Sequence, residues 1–222
     1  MMAFYFQRLI EILPFFLKGL WMTVAVSGIS LILATICGLL LGVARAMGNR
    51  WVVWLIGAYV AVIRGTPFVV QIFIVFFILP EWGIQLEALP AAILSLTILG
   101  TAFICEIVAG GIKAVPRGQW EAATSSGLNL YQQLRHVVLP QSLQTILPPL
   151  VGQYVLLIKD SSVVSVIGVV ELTRVGWLTV VRIPEGLMVF SLVGILYFAI
   201  SYPLIRLSNR LETRLATQQV ML

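Results

Sequence analysis

The stretch EAATSSGLNLYQQLRHVVLP occupies Glu121–Pro140. It is half polar and helix-prone, in a chain that is 60% hydrophobic and only 10% charged. A lipid-facing position makes no sense of it, whereas a docking surface for something soluble does. Just upstream, Pro116 opens a helix, and Trp120 and Ala123, three apart, share one packing face. Gly127 and Asn129 make a turn. A second helix is expected from about Leu130 to Val138, and Pro140 starts the approach to the next apolar stretch, where proline in a first turn costs little. The expectation is a helix–turn–helix hairpin inside a polar segment, 112–145. On physics alone, an amphipathic loop lying on a membrane surface is the other reading.

The rest of the chain supplies the membrane. A soluble domain of 222 residues would carry about a quarter charged residues; this one has 14 Lys+Arg, 9 Asp+Glu and one His. Its apolar stretches reach or exceed the ~20 residues that cross a bilayer. Five spans are expected: Leu20–Val43, Trp51–Leu79 interrupted at RGTP, Leu89–Gly111, Ile146–Val170 interrupted at KDSS, and Leu187–Leu207. With no repeat or flexible linker, residues 1–222 form a single all-α membrane domain. The start, 1–19, lacks the basic region and the small-residue cleavage site of a signal peptide. Phe6, Ile10, Leu13 and Leu17 fall at helical spacing, so 1–19 is expected to be an amphipathic helix in the membrane interface, bent at Pro14.

The loops set the orientation. Arg45, Arg50, Lys113, Arg117, Arg135, Arg206, Arg210 and Arg214 lie on one side of a five-span chain, eight of the 14 cations. The opposite side includes PEWGIQLEALP, with two Glu and no cation. The positive-inside rule then places the N-terminus outside, the C-terminus inside and the polar hairpin in the cytoplasm. Cations scattered at the ends of apolar stretches give no footprint for nucleic acid. Cys37 and Cys105 lie inside apolar stretches and read as buried thiols. A single His with no Cys or carboxylate cluster makes no metal site, and no cofactor is expected.

The hairpin also carries a motif. EAA at Glu121, Ala122 and Ala123 is followed by three residues, Gly127, nine residues, Val137, one residue and Leu139-Pro140. This resembles the EAA motif of ATP-binding-cassette (ABC) importer permeases, with Val137 in place of the usual Ile. Two further stretches, IRGTP at Ile63–Pro67 and IKDSSVVSVIGVVEL at Ile158–Leu172, resemble the polar amino acid uptake branch of that family. The resemblance covers nearly the whole chain. It implies the type I (MetI-like) permease fold in a bacterial inner membrane, and amino acid import by alternating access. It makes Glu121, Ala122, Ala123, Gly127, Leu128, Leu139 and Pro140 the coupling surface for an ATP-binding subunit, present twice per complex. The other implied partners are a second permease, identical or homologous, and an extracytoplasmic solute-binding protein. No GxxxxGK[ST] occurs, so ATP hydrolysis is expected of a partner chain and not of this one. The main rival from another class is a stand-alone ion-coupled carrier or channel; it predicts an internal inverted repeat and no use for the hairpin. A second rival is an ABC permease for another small solute.

Four ionisable residues fall within the apolar spans: Arg64, Glu106, Lys159 and Asp160. Facing lipid at mid-depth, each would cost about 2.5–3.5 kcal/mol or more. Counting along the helices puts Arg64 roughly 20 Å and Asp160 roughly 21 Å above the inner surface, and Glu106 only roughly 8 Å. Arg64 and Asp160 could therefore meet, with Glu106 the poorer partner for Arg64. Pro67 and the DSS stretch interrupt helices at those heights, as in transporters that place substrate at mid-depth. Asp160 could accept from a substrate ammonium. Arg64, Thr66 or Gln71 could donate to its carboxylate, with Gln71 a candidate for selectivity. Glu106, Lys159 and Ser161 complete the candidate pathway. A structural lock of Arg64, Lys159 and Asp160 between spans two and four stands beside that reading.

Overall fold

Lipid offers no hydrogen bonds, so a spanning segment must satisfy its own backbone, which a helix does within one stretch. The computed structural model describes residues 2–182 and 185–220, with side chains over 11–182 and 185–213. Among these residues every element is helical: α1 (Met2–Met47), α2 (Arg50–Gly65), α3 (Phe68–Phe73), α4 (Ala88–Lys113), α5 (Arg117–Ser125), α6 (Leu130–Gln133), α7 (Leu139–Asp160), α8 (Leu172–Val180) and α9 (Gly186–Val220). Four helices are long and apolar enough to cross a membrane: Glu11–Met47, Ala88–Lys113, Leu130–Ile167 and Gly186–Thr213. Arg50–Gly65 and Phe68–Trp82 qualify together as a fifth, bent by 106° at the RGTP break. The fold is thus an all-α membrane bundle of about five spans.

The core forms where α4 is enclosed. On α1, a Cβ at Gly38 would come within 2.6 Å of Ile104, and one at Gly42 within 2.5 Å of Val108. These glycines let α1 lie against α4, the small-residue contact typical of helices in lipid. Ala34, Ile104, Val108, Ile112 and Ile146 form a buried cluster beneath that contact. A second cluster joins Val26, Ile72, Leu96, Leu157 and Val164, tying α1, α3, α4, α7 and the turn after α7 together. The last helix, α9, runs along α7, where Ser208 Oγ donates to the Pro148 carbonyl at 3.2 Å.

Two expected boundaries are absent. Segment 1–19 is not a separate helix: α1 runs from Met2 to Met47 through Pro14. Its inward face beyond residue 10 carries Ile12, Phe16 and Leu20 against α8 and α9, while Leu13 and Leu17 are exposed. The expected contacts of Phe6 and Ile10 lie outside the residues whose side chains are described. Nor does the second arm of the hairpin stop before Pro140. Residues Leu134–Val138 form a π-helical turn in which the Leu139 N–H donates to the Leu134 carbonyl, and α7 follows directly. Pro140 has no N–H to continue the ordinary ladder, and the wider turn carries the helix past it. The interruption at KDSS is likewise milder than expected, an α-to-3₁₀ change from Ser161 to Ile167 that ends at Gly168, φ 96°.

Candidate functional site

The hairpin is built by local chemistry. Pro116, with φ −56° and ψ 140°, precedes α5. Ala123 is buried and Trp120 packs on the cluster around Ile112, Val138 and Ile146, so this face is held to the bundle. Glu121, Ala122, Thr124 and Ser125 are exposed. The first arm closes with the Gly127 N–H on the Thr124 carbonyl at 2.9 Å and the Leu128 N–H on the Ala123 carbonyl at 3.2 Å. Gly127 takes φ 77°, a left-handed position that favours glycine. Asn129 then starts α6 with a capping box: its side chain accepts from the Gln132 N–H, and Gln132 accepts from the Asn129 N–H. Gln133, buried, ties the arms by donating to the Leu128 carbonyl at 2.7 Å and to Thr124 Oγ1 at 3.2 Å.

Of the coupling residues predicted from sequence, Glu121, Ala122, Gly127 and Pro140 are exposed, Leu128 and Leu139 half-buried and Ala123 buried. Leu130 and Tyr131, 58% and 66% exposed, extend the same outward surface with large apolar groups. Sequence reasoning passed over them, although two large side chains straight after a helix cap in a polar stretch were the signal.

At the broken span, the charges meet differently from the expectation. Arg64 does not pair with Asp160. Its Nη1 lies 3.3 Å from Glu106 Oε2, and Arg45 donates to the same oxygen. The guanidinium of Arg64 also lies 5.3 Å from the Phe103 ring centre. One carboxylate on α4 thus holds arginines from α1 and α2, and the cluster keeps a net positive charge. Counting heights from separate entry points failed because helices incline and arginine is long. Val60 of α2 packs on Ala102 and Cys105 of α4, and the Tyr59 hydroxyl donates to the Ile98 carbonyl at 2.7 Å, so α2 crosses α4 at its middle.

The lock of Arg64 with Lys159 and Asp160 is absent: among the described residues, the salt bridges are the two on Glu106. Asp160, half-buried, ends α7. Lys159 is exposed on a groove of about 300 Å³ between α7 and α9, with Tyr197 and Ser201 among its walls. Ser161 is buried and its hydroxyl donates to the Ile158 carbonyl at 2.7 Å. Thr66 Oγ1 donates to the Val62 carbonyl at 2.8 Å. Gln71 is buried, and its amide nitrogen lies 2.7 Å from the Ile63 carbonyl and 3.1 Å from that of Thr66.

Sequence reasoning gave Glu171 no role. It is fully buried just past Ile167, where the crossing helix ends. Its carboxylate caps α8, accepting from the Thr173 and Arg174 N–H groups at 2.8 Å each. It also accepts from the Tyr197 hydroxyl of α9 at 2.7 Å and from Thr23 of α1 at 3.4 Å. Burial pushes this carboxyl above the usual range, against the lowering pull of those hydrogen bonds.

The comparisons agree with this architecture. Across 92% of its length the chain is 39% identical to the probable glutamine ABC transporter permease protein GlnP of Bacillus subtilis, covering 95% of that protein. It is 34% identical to the glutamine transport system permease protein GlnP of Escherichia coli K12, over 96% of this chain and 99% of the relative. A crystal structure of an amino acid ABC transporter with histidines superposes with TM-score 0.86 at 29% identity, over 94% of this chain and 98% of that one. An inward-facing structure of the MetNI methionine ABC transporter shares the fold at TM-score 0.76 and 22% identity, covering 92% and 98%. Residues 12–217 match the family described as binding-protein-dependent transport system inner membrane component, and to that family of multi-pass membrane permeases the chain belongs.

Proposed function

We propose that this chain is the permease subunit of an ATP-driven importer for polar amino acids in the bacterial cytoplasmic membrane. The observation that carries the reading is the exposed hairpin. A bundle that buries Ala123 and packs on Trp120 yet holds Glu121, Ala122, Leu130 and Tyr131 outward offers a firm, partly apolar surface to a soluble partner. That partner is the ATP-binding subunit, two per complex, since the chain has no phosphate-binding loop of its own. A second permease and an extracytoplasmic solute-binding protein complete the assembly. ATP draws the two hairpins together, and the pathway turns from inward- to outward-facing.

The relatives named for glutamine support an amino acid as cargo, and the charges fit one. Asp160 accepts from the ammonium group. Arg64, with 44% of its side chain exposed beside Glu106, retains donors for the carboxylate, and Lys159 lies further along the pathway. The test is uptake of labelled glutamine into vesicles holding the complete complex and its loaded binding protein. The reading requires uptake that needs both ATP and the binding protein, and that Glu121→Lys abolishes or uncouples from hydrolysis. Glutamine uptake without either requirement, or undiminished in Glu121→Lys, would sink it.

A further inference from the structure

We infer that Gln71 is a positioning residue: its side-chain amide holds the corner between α2 and α3 and thereby sets the place of Arg64. The importance of Arg64 for transport rests on the proposed function; the corner itself rests on geometry.

The RGTP break leaves backbone groups without helical partners. Pro67 has no N–H, so the Ile63 carbonyl four residues earlier loses its donor. Thr66 is extended, φ −117° and ψ 146°, and its own carbonyl leaves the helical path. Away from water, such orphan carbonyls are costly. Gln71, in the first turn of α3, answers them. Its Nε2 lies 2.7 Å from the Ile63 carbonyl, 3.1 Å from the Thr66 carbonyl and 3.0 Å from Thr66 Oγ1. Two amide hydrogens thus serve three acceptors. Thr66 Oγ1 is an acceptor here because its own proton goes to the Val62 carbonyl.

The three oxygens at the break fix the orientation of the amide. Oε1 of Gln71 is buried without a hydrogen-bond partner among the described residues. Turning the amide over would set that oxygen against three oxygens, so the donor end must face the break. A group so placed is spent on the backbone and is not free to read a substrate side chain. It binds the last turn of α2 to the first turn of α3 across the 106° bend. Arg64 sits in that last turn, with its guanidinium carried onto Glu106 and Phe103. If the corner relaxes, Arg64 loses its fixed approach to both.

The experiment places spin labels at Ala61 and Val70, exposed positions on either side of the corner. It uses the complete complex in nanodiscs, in a background without the native cysteines, with uptake measured in parallel. Gln71→Met keeps length and removes every donor. It is expected to broaden the label-to-label distance distribution and to lower uptake about tenfold. Gln71→Glu is expected to do the same once pH passes the value to which burial against three oxygens raises its carboxyl, because a carboxylate donates nothing. In acid its O–H regains one donor, so the distribution narrows again, a rescue that simple loss of packing would not give. If Gln71→Met fails to assemble, the comparison of Gln71→Glu between acid and alkaline solution decides alone. A narrow, unchanged distribution in Gln71→Met, or no response of Gln71→Glu to pH, overturns the inference. Arg64→Gln separates it from the reading beneath it. Normal uptake by that variant defeats the role of Arg64, while failure of the corner appears only in the distances of the Gln71 variants.

Discussion

Glu106 is the residue on which three helices converge. Its carboxylate, 39% exposed, faces Arg45 at 18% and Arg64 at 44%. Glu106→Gln strands two cations in an apolar region. Because the site is partly open, the cost is expected at about 1–3 kcal/mol, below that of a fully enclosed pair. Asp160→Asn breaks no salt bridge among the described residues and should leave detergent melting unchanged while abolishing uptake. Melting curves and uptake for the two variants check this; a Glu106→Gln subunit as stable as the parent would show that the cluster holds nothing. That four charges lie inside the spans was legible, because a charge in lipid is expensive. Which of them meet was not, since pairing depends on helix inclination and side-chain reach, and neither is written in residue spacing. Glu171 escaped notice for a related reason. It fell one residue beyond the expected end of the fourth span, and its partners Thr23 and Tyr197 lie 148 and 26 residues away.

Single elements were more legible where the signal was local. The first arm of the hairpin followed from Pro116, from the Trp120–Ala123 face and from the Gly127–Asn129 turn. The second arm, Leu130–Val138, was legible as helix, but its continuation into α7 was not, because Pro140 reads as a helix start and only the π-helical turn carries the helix past it. The turn gives one prediction. Gly127→Val forces a β-branched residue to φ 77°, at about 1–2 kcal/mol. It should reduce co-purification of the ATP-binding subunit while the permease still inserts; unchanged co-purification would count against the hairpin as the coupling surface. The cap of α8 gives another. The Glu171 pKa is raised by burial, so the folded protein binds this proton more tightly than the unfolded chain does. Its contribution to stability is then fully present below the ordinary carboxylate range and is lost as pH rises through the raised value. Glu171→Gln removes the titration and presents an NH₂ group to backbone donors, so it should melt lower at every pH. The gap from the parent should be widest in acid and should shrink as pH rises. A gap that widened with pH would mean that the hydrogen bonds outweigh burial.

At the scale of the whole molecule, two faces carry charge that an isolated subunit would show to lipid. Arg64 is exposed beside the broken span, and Lys159 is exposed on the α7–α9 groove. At about 2.5–3.5 kcal/mol for each cation facing lipid at mid-depth, these faces should be covered or wetted in the working complex, as a paired permease with a shared pathway provides. That arrangement requires the hairpin to lie on the ATP side and the α3–α4 connection on the other. The charge asymmetry of the loops demands the same. Gln85, exposed in the connection just before α4, and Ser125, exposed at the end of α5, report the two sides. With Cys37 and Cys105 first replaced by Ser, Gln85→Cys should react with an impermeant maleimide added to intact cells, and Ser125→Cys only after the membrane is opened. The two positions lie on either side of α4, a single unbroken crossing helix of 26 residues, so they cannot both label from outside unless that helix fails to span. Labelling of Ser125→Cys and protection of Gln85→Cys in intact cells would invert the topology, remove the hairpin from ATP and take the coupling proposal with it.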